Sequence, residues 1–151
     1  MSSGSNQRPN FVSIVAAGTV ITATGNSTAF ALKLADAYTF VVNVTAASGT
    51  SPTLDIVYQT SVDGGTTYVN IPWRHTQITA AGVTFLTVRL GLGIGEVGAE
   101  GAVASTGGTL VKPFVPDTNF MRLAYTVGAT TPSFTFSVTA FFLPKGSQTA
   151  W

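Results

Sequence analysis

The 151-residue chain is 45% hydrophobic and only 9% charged, with a net charge of +1 and no cysteine. Its seven basic residues stand singly, at Arg8, Lys33, Arg74, Arg89, Lys112, Arg122 and Lys145. This excludes the basic stripe through which duplex-binding proteins release counterions, and it excludes disulfide frameworks and thiolate chemistry.

The length suits one domain. Twenty-four threonines and 10 phenylalanines favour pleated, half-buried surfaces over helices. So low a charge density leaves a neutral surface that is easily desolvated, as expected of a protein packed against partners. Residues 1–10 are polar and Gly/Ser-bearing and read as a flexible N-terminal arm; 11–145 read as the β domain and 146–151 as a C-terminal tail.

The first apolar run, 11–23, is interrupted by Ser13, Gly18 and Thr19, and only Arg8 precedes it. A pair of strands, 11–16 and 19–24, explains it better than a signal-peptide core, and it is too short to span a bilayer. Further strands are predicted at 28–34, 38–47, 53–61, 66–71, 75–79, 83–90, 119–127 and 133–143. The signal is period two: Tyr38, Phe40, Val42 and Val44 share one face, as do Leu54, Ile56 and Tyr58, and later Phe134, Phe136 and Val138. Turn residues separate these runs at 24–27, 48–52, 63–65 and 128–132. Asp63-Gly64 favours a hairpin turn with positive φ, and Pro72-Trp73 is expected to break the following strand. Ten short strands with turns at this spacing indicate a single β-sandwich of jelly-roll type, with under about a tenth of residues helical.

Residues 91–108 hold seven glycines. The Gly91-Leu-Gly-Ile-Gly-Glu96 segment lacks the strand–turn–helix setting of a phosphate-binding loop and reads as a loop ordered against a neighbour.

Catalytic material is sparse. His75 is the only histidine, no Gly-x-Ser-x-Gly elbow is present, and the six carboxylates show no calcium-loop spacing. The expectation is a protein that is no enzyme and takes no cofactor or metal, with His75 packed in or lying on a strand. Trp73, Tyr68 and Tyr58 offer an alternative, a sugar-stacking platform in a carbohydrate-binding module.

The stretch Leu54-Asp-Ile-Val-Tyr-Gln-Thr-Ser-Val-Asp-Gly-Gly-Thr-Thr-Tyr-Val-Asn-Ile71 resembles a pattern in small structural proteins of tailed bacteriophages. The stretch Phe120-Met-Arg-Leu-Ala-Tyr-Thr-Val-Gly-Ala-Thr-Thr-Pro-Ser-Phe-Thr-Phe-Ser-Val138 resembles its companion, an Arg-bearing strand, a Gly/Pro turn and a Phe-rich strand. The resemblance covers 38–80 and 118–143. It implies a virion protein, most like a capsid cement, or decoration, protein on the capsid surface that bridges neighbouring capsomers. A tail, neck or baseplate component is the alternative within the class. The partner so implied is the major capsid protein; the low charge separately predicts an oligomer of the chain, a trimer first, and the scattered basic residues and short apolar run predict no direct nucleic-acid or membrane contact. Arg8, Gly93, Gly95, Glu96 and Trp151 are the expected interface residues, since arginine and tryptophan dominate interface hot spots.

Overall fold

The computed structural model describes residues 10–33, 35–89 and 118–144, with only the backbone of Asp36, Arg89, Leu143 and Pro144. The described residues are all-β and form a single antiparallel sheet of six strands, with no helix. The strands are β1 (Phe11–Ile21), β2 (Gly25–Asn26), β3 (Ala35–Ser61), β4 (Tyr68–Arg74), β5 (Gly82–Arg89) and β6 (Met121–Pro144). Their order is β1-β6-β3-β4, with β2 also paired to β6 and β5 also paired to β3.

Among the described residues the expected ten short strands become six, and two of the mergers arise because turn signals lie inside strands. β3 runs through the Ser-Gly-Thr-Ser-Pro segment at 48–52, and β6 runs through 128–132. These segments are bends at the same level of one ladder, which pairs Ala35 with Pro144 at one end and Thr60 with Met121 at the other. Register shifts on either side of the Thr50–Thr130 pair place one extra residue first on β6 and then on β3. Both strands enter positive φ there, at Gly49 and Ser51 on β3 and at Ala129 and Thr131 on β6. Each long strand therefore has two halves. The first half of β3, with the second half of β6, is flanked by β1 and β5; the other half of the ladder is flanked by β2 and β4.

Three other expectations change in the same way. Strands 11–16 and 19–24 are one strand, β1, whose extra residues around Gly18 are absorbed as bulges against β6. Pro72 does not break β4. It lies opposite a register shift between Val57 and Gln59, on a strand at the end of the sheet order, where its missing N–H removes no ladder bond. The segments 28–34 and 75–79 are not strands but single bridges, Phe30–Met121 and Leu54–Ile78.

The core follows the period-two residues. Tyr38, Phe40, Val42, Leu54, Ile56, Tyr58, Leu123, Phe134, Phe136 and Val138 are all buried, as are Trp73 and Leu86. Rings from both halves meet: Phe40 packs on Tyr58, eighteen positions along the same strand, with centroids 4.3 Å apart, and both Tyr38 and Phe40 touch Trp73. Contact at that sequence separation requires the bend.

The Asp63 turn forms as expected. Asp63 Oδ1 accepts from the amides of Thr66 and Thr67 at 3.0 and 2.7 Å, and Ser61 Oγ accepts from the Gly65 amide at 2.6 Å. Gly64 and Gly65 both have positive φ, and a Cβ on Gly65 would meet the Phe120 ring at 3.0 Å.

Candidate interaction surface

Alternation that sends Tyr38, Phe40 and Val42 inward sends Thr39, Val41 and Asn43 outward. On the half of the sheet flanked by β1 and β5, the register aligns these positions into rows. One row runs Phe11, Phe141, Thr39, Thr87 across β1, β6, β3 and β5. The next runs Ser13, Thr139, Val41, Phe85, and a third Ser137, Asn43, Val83. Phe11 (57%), Phe85 (54%), Val83 (51%) and Phe141 (41%) remain exposed on this face. Phe11 and Phe141 lie against each other, with centroids 5.9 Å apart. No residue of these three rows carries a charge, and they are aromatic and hydroxyl-bearing; Arg89, in register with Ala37, belongs to the row beyond them. Its hydroxyls are partly satisfied within it: Thr39 Oγ1 and Thr87 Oγ1 lie 3.1 Å apart.

The outward face of the other half differs. Arg122 Nε donates to Gln59 Oε1 at 2.6 Å, Gln59 Nε2 donates to Asn70 Oδ1 at 2.7 Å, and the Arg122 guanidinium lies 4.3 Å from the Tyr68 ring centre. This polar relay crosses β6, β3 and β4, whose residues Arg122, Gln59 and Asn70 are in register. Asp55 accepts from Gln77 nearby, at 3.0 and 3.2 Å. The sheet thus has one polar and one apolar outer half.

His75 belongs to the interior. Its Nε2 lies 2.9 Å from the Tyr58 hydroxyl, its rings pack in the same cluster, and its Nδ1 is buried with no hydrogen-bond partner among the described residues. Burial lowers its pKa to about 4 and pushes the Tyr58 hydroxyl well above its ordinary value. The imidazole is therefore neutral at pH 7, and at 4% exposure it meets no solvent-borne substrate. Trp73 and Tyr58 are likewise core residues, so the sugar-stacking platform expected from Trp73, Tyr68 and Tyr58 does not form at the surface. Only Tyr68 is partly exposed, and its ring is covered by Arg122.

Among the described residues, no three His, Cys, Asp or Glu side chains gather as a metal site. A recess of about 270 Å³ lies beside the β1 bulge, floored by Ile14, Ile21 and Phe136 and rimmed by Thr19, Ser27 and Tyr125. It holds no charged group, and the Tyr125 hydroxyl is already engaged with the Asn26 carbonyl at 3.3 Å.

The expected interface residues Arg8, Gly93, Gly95, Glu96 and Trp151 all lie outside the described residues. Sequence reasoning missed the Phe11–Phe141–Phe85 face because its members come from different strands and only register brings them together. A signal was present: Val41 beside Val42, and Phe141 beside Phe142, put an apolar residue on both faces where strict alternation asks for a polar one. Comparison of the chain with protein-family models, with curated proteins and with solved structures finds no match in any of the three.

Proposed function

We propose that this chain is a non-catalytic virion structural protein that binds the outside of an assembled phage capsid and bridges neighbouring capsomers. The observation that carries this reading is the outer face of β1, β6, β3 and β5, where three uncharged rows keep several large apolar side chains in solvent. An exposed apolar patch of this kind marks association rather than chemistry. The finer architecture belongs to the same reading: the bent sheet, with rings from its two halves in contact, works as a jelly-roll-like sandwich.

The phage resemblance supports the setting. Its two stretches, 54–71 and 120–138, are neighbours in the fold, paired from Leu54–Val127 to Thr60–Met121 with β4 alongside. They form one unit of structure, which is how a shared motif between two distant stretches should behave. A subunit that binds assembled shells and not free subunits stabilises the assembled state by linkage. Purified heads carrying the protein should rupture at a higher temperature than heads lacking it, by several degrees. Equal rupture temperatures overturn the cement reading. Co-purification with tails alone transfers the protein to the tail, neck or baseplate.

A further inference from the structure

We infer that the three uncharged rows on the outer face of β1, β6, β3 and β5 join two copies of this chain face to face, about a two-fold axis running along the strands between β6 and β3. The inference goes beyond the capsid reading, since it requires no shell.

Register decides which residues would meet. Such an axis lays β1 of one copy over β5 of the other, and β6 over β3, with each row meeting its own counterpart. Phe11 then faces Thr87 of the second copy, and Phe141 faces Thr39. In the next row Phe85 faces Ser13, and Val41 faces Thr139. In these two rows each large side chain meets a small hydroxyl-bearing one, because the large residues of one row lie on β1 and β6 and those of the next lie on β3 and β5. This is the self-complementarity that an isologous interface needs, and stacked sheets in which large and small positions alternate interdigitate.

Charge gives the second argument. In this arrangement the three uncharged rows meet their own counterparts with no like-charge pair, whereas the polar half of the sheet would bring Arg122 near Arg122. Desolvation is also cheap, since Thr39 and Thr87 already pair side chain to side chain within one copy.

Area gives the third. Four strands spaced at about 4.8 Å, each contributing about eight residues at about 3.4 Å, give a footprint on the order of 500 Å² in projection. Two copies cover on the order of 1,000 Å² in all, where specific interfaces begin, so the dimer is a weak, reversible one. The assembly is two-fold, in place of the trimer expected from composition.

Sedimentation equilibrium of the full chain from about 1 to 200 µM, a span suited to a weak, reversible dimer, should show the mass rising from monomer to dimer. Phe85→Asp should weaken the dimer at least about 100-fold, as loss of an interface hot spot does, while the milder Phe85→Thr weakens it about tenfold. Both should leave the melting temperature nearly unchanged, because the Phe85 side chain is more than half exposed. Adding Ser13→Lys to Phe85→Asp should restore a dimer that salt now weakens, because the two new charges meet only across the axis. Within one copy those positions lie on opposite edges of a four-strand row. Gln59→Ala, on the polar face, should leave the equilibrium unchanged. A monomer throughout the range, a trimer, dimerisation indifferent to both Phe85 variants, or no recovery in the double variant overturns the inference. A chain that dimerises but is missing from virions leaves it standing and removes the capsid reading. A monomer that still raises head stability does the reverse.

Discussion

His75 shows how a single buried residue sets a condition on stability. Burial disfavours its charged form, so it titrates at about 4 in the fold against 6.5 when unfolded. Between those values the unfolded chain binds the extra proton. The stabilising contribution is therefore complete above pH 6.5 and is lost as pH falls towards 4, a loss of about 3 kcal/mol in order of magnitude. Melting temperatures at pH 7 and 4.5 should differ by roughly five to ten degrees, at about 2–4 °C per kcal/mol for a chain of this size. His75→Gln should flatten that difference; an unchanged pH slope in this variant would place the acid sensitivity elsewhere. Asp63 acts in a separate window. The amides of Thr67 and Thr66 and the Ser61 hydroxyl hold its pKa at about 2, below its ordinary 3.8. Its contribution is present above pH 3.8 and is lost only below that value, so the two residues are separable by titration.

The bend shared by β3 and β6 is the decisive feature at the scale of elements. A straight ladder of this length would leave Phe40 and Tyr58 far apart, since strands rise about 3.3 Å per residue. The bend is held by left-handed backbone at Gly49, Ser51, Ala129 and Thr131, of which only the first is a residue that adopts it freely. Gly49 also lies too close to its partner strand for a side chain: a Cβ would stand 2.8 Å from the Thr131 carbonyl and 2.9 Å from that of Thr130. Both atoms are backbone and cannot yield without opening the ladder. Gly49→Ala should therefore destabilise the protein by at least about 2 kcal/mol, combining left-handed strain with a steric clash. Urea unfolding measures this directly; a loss under about 0.5 kcal/mol would mean that the bend relaxes freely.

For the whole molecule, topology sets the kinetics. The central pairing joins Ala35 to Pro144 and Thr60 to Met121, and β1 at the start of the domain pairs with the last strand. Nearly every sheet contact thus closes a long loop before it yields packing energy. Refolding should take milliseconds to seconds, as in β-sheet proteins of high contact order, rather than microseconds. Stopped-flow tryptophan fluorescence reads this through Trp73, buried between Tyr38 and Phe40. A submillisecond single phase would contradict the topology.

The sequence was enough for the β class, the inward faces and the Asp63 turn, because each depends on neighbours within a few residues. Period two marks Tyr38, Phe40 and Val42 as core, and Asp-Gly-Gly marks positive φ, whatever the rest of the chain does. Read alone, the sequence misstated the strand number and did not foresee the exposed face of β1, β6, β3 and β5, for the opposite reason. The segments 48–52 and 128–132 carry ordinary turn residues, and whether such residues end a strand or bend it depends on the strand beside them. Pro72 is tolerated for the same kind of reason, since β4 stands at the end of the sheet order. Phe11, Val41, Phe85 and Phe141 look like isolated apolar residues along the chain. Only the tertiary structure makes them a surface, because the register of β1, β6, β3 and β5 brings together residues as far apart in sequence as 11 and 141.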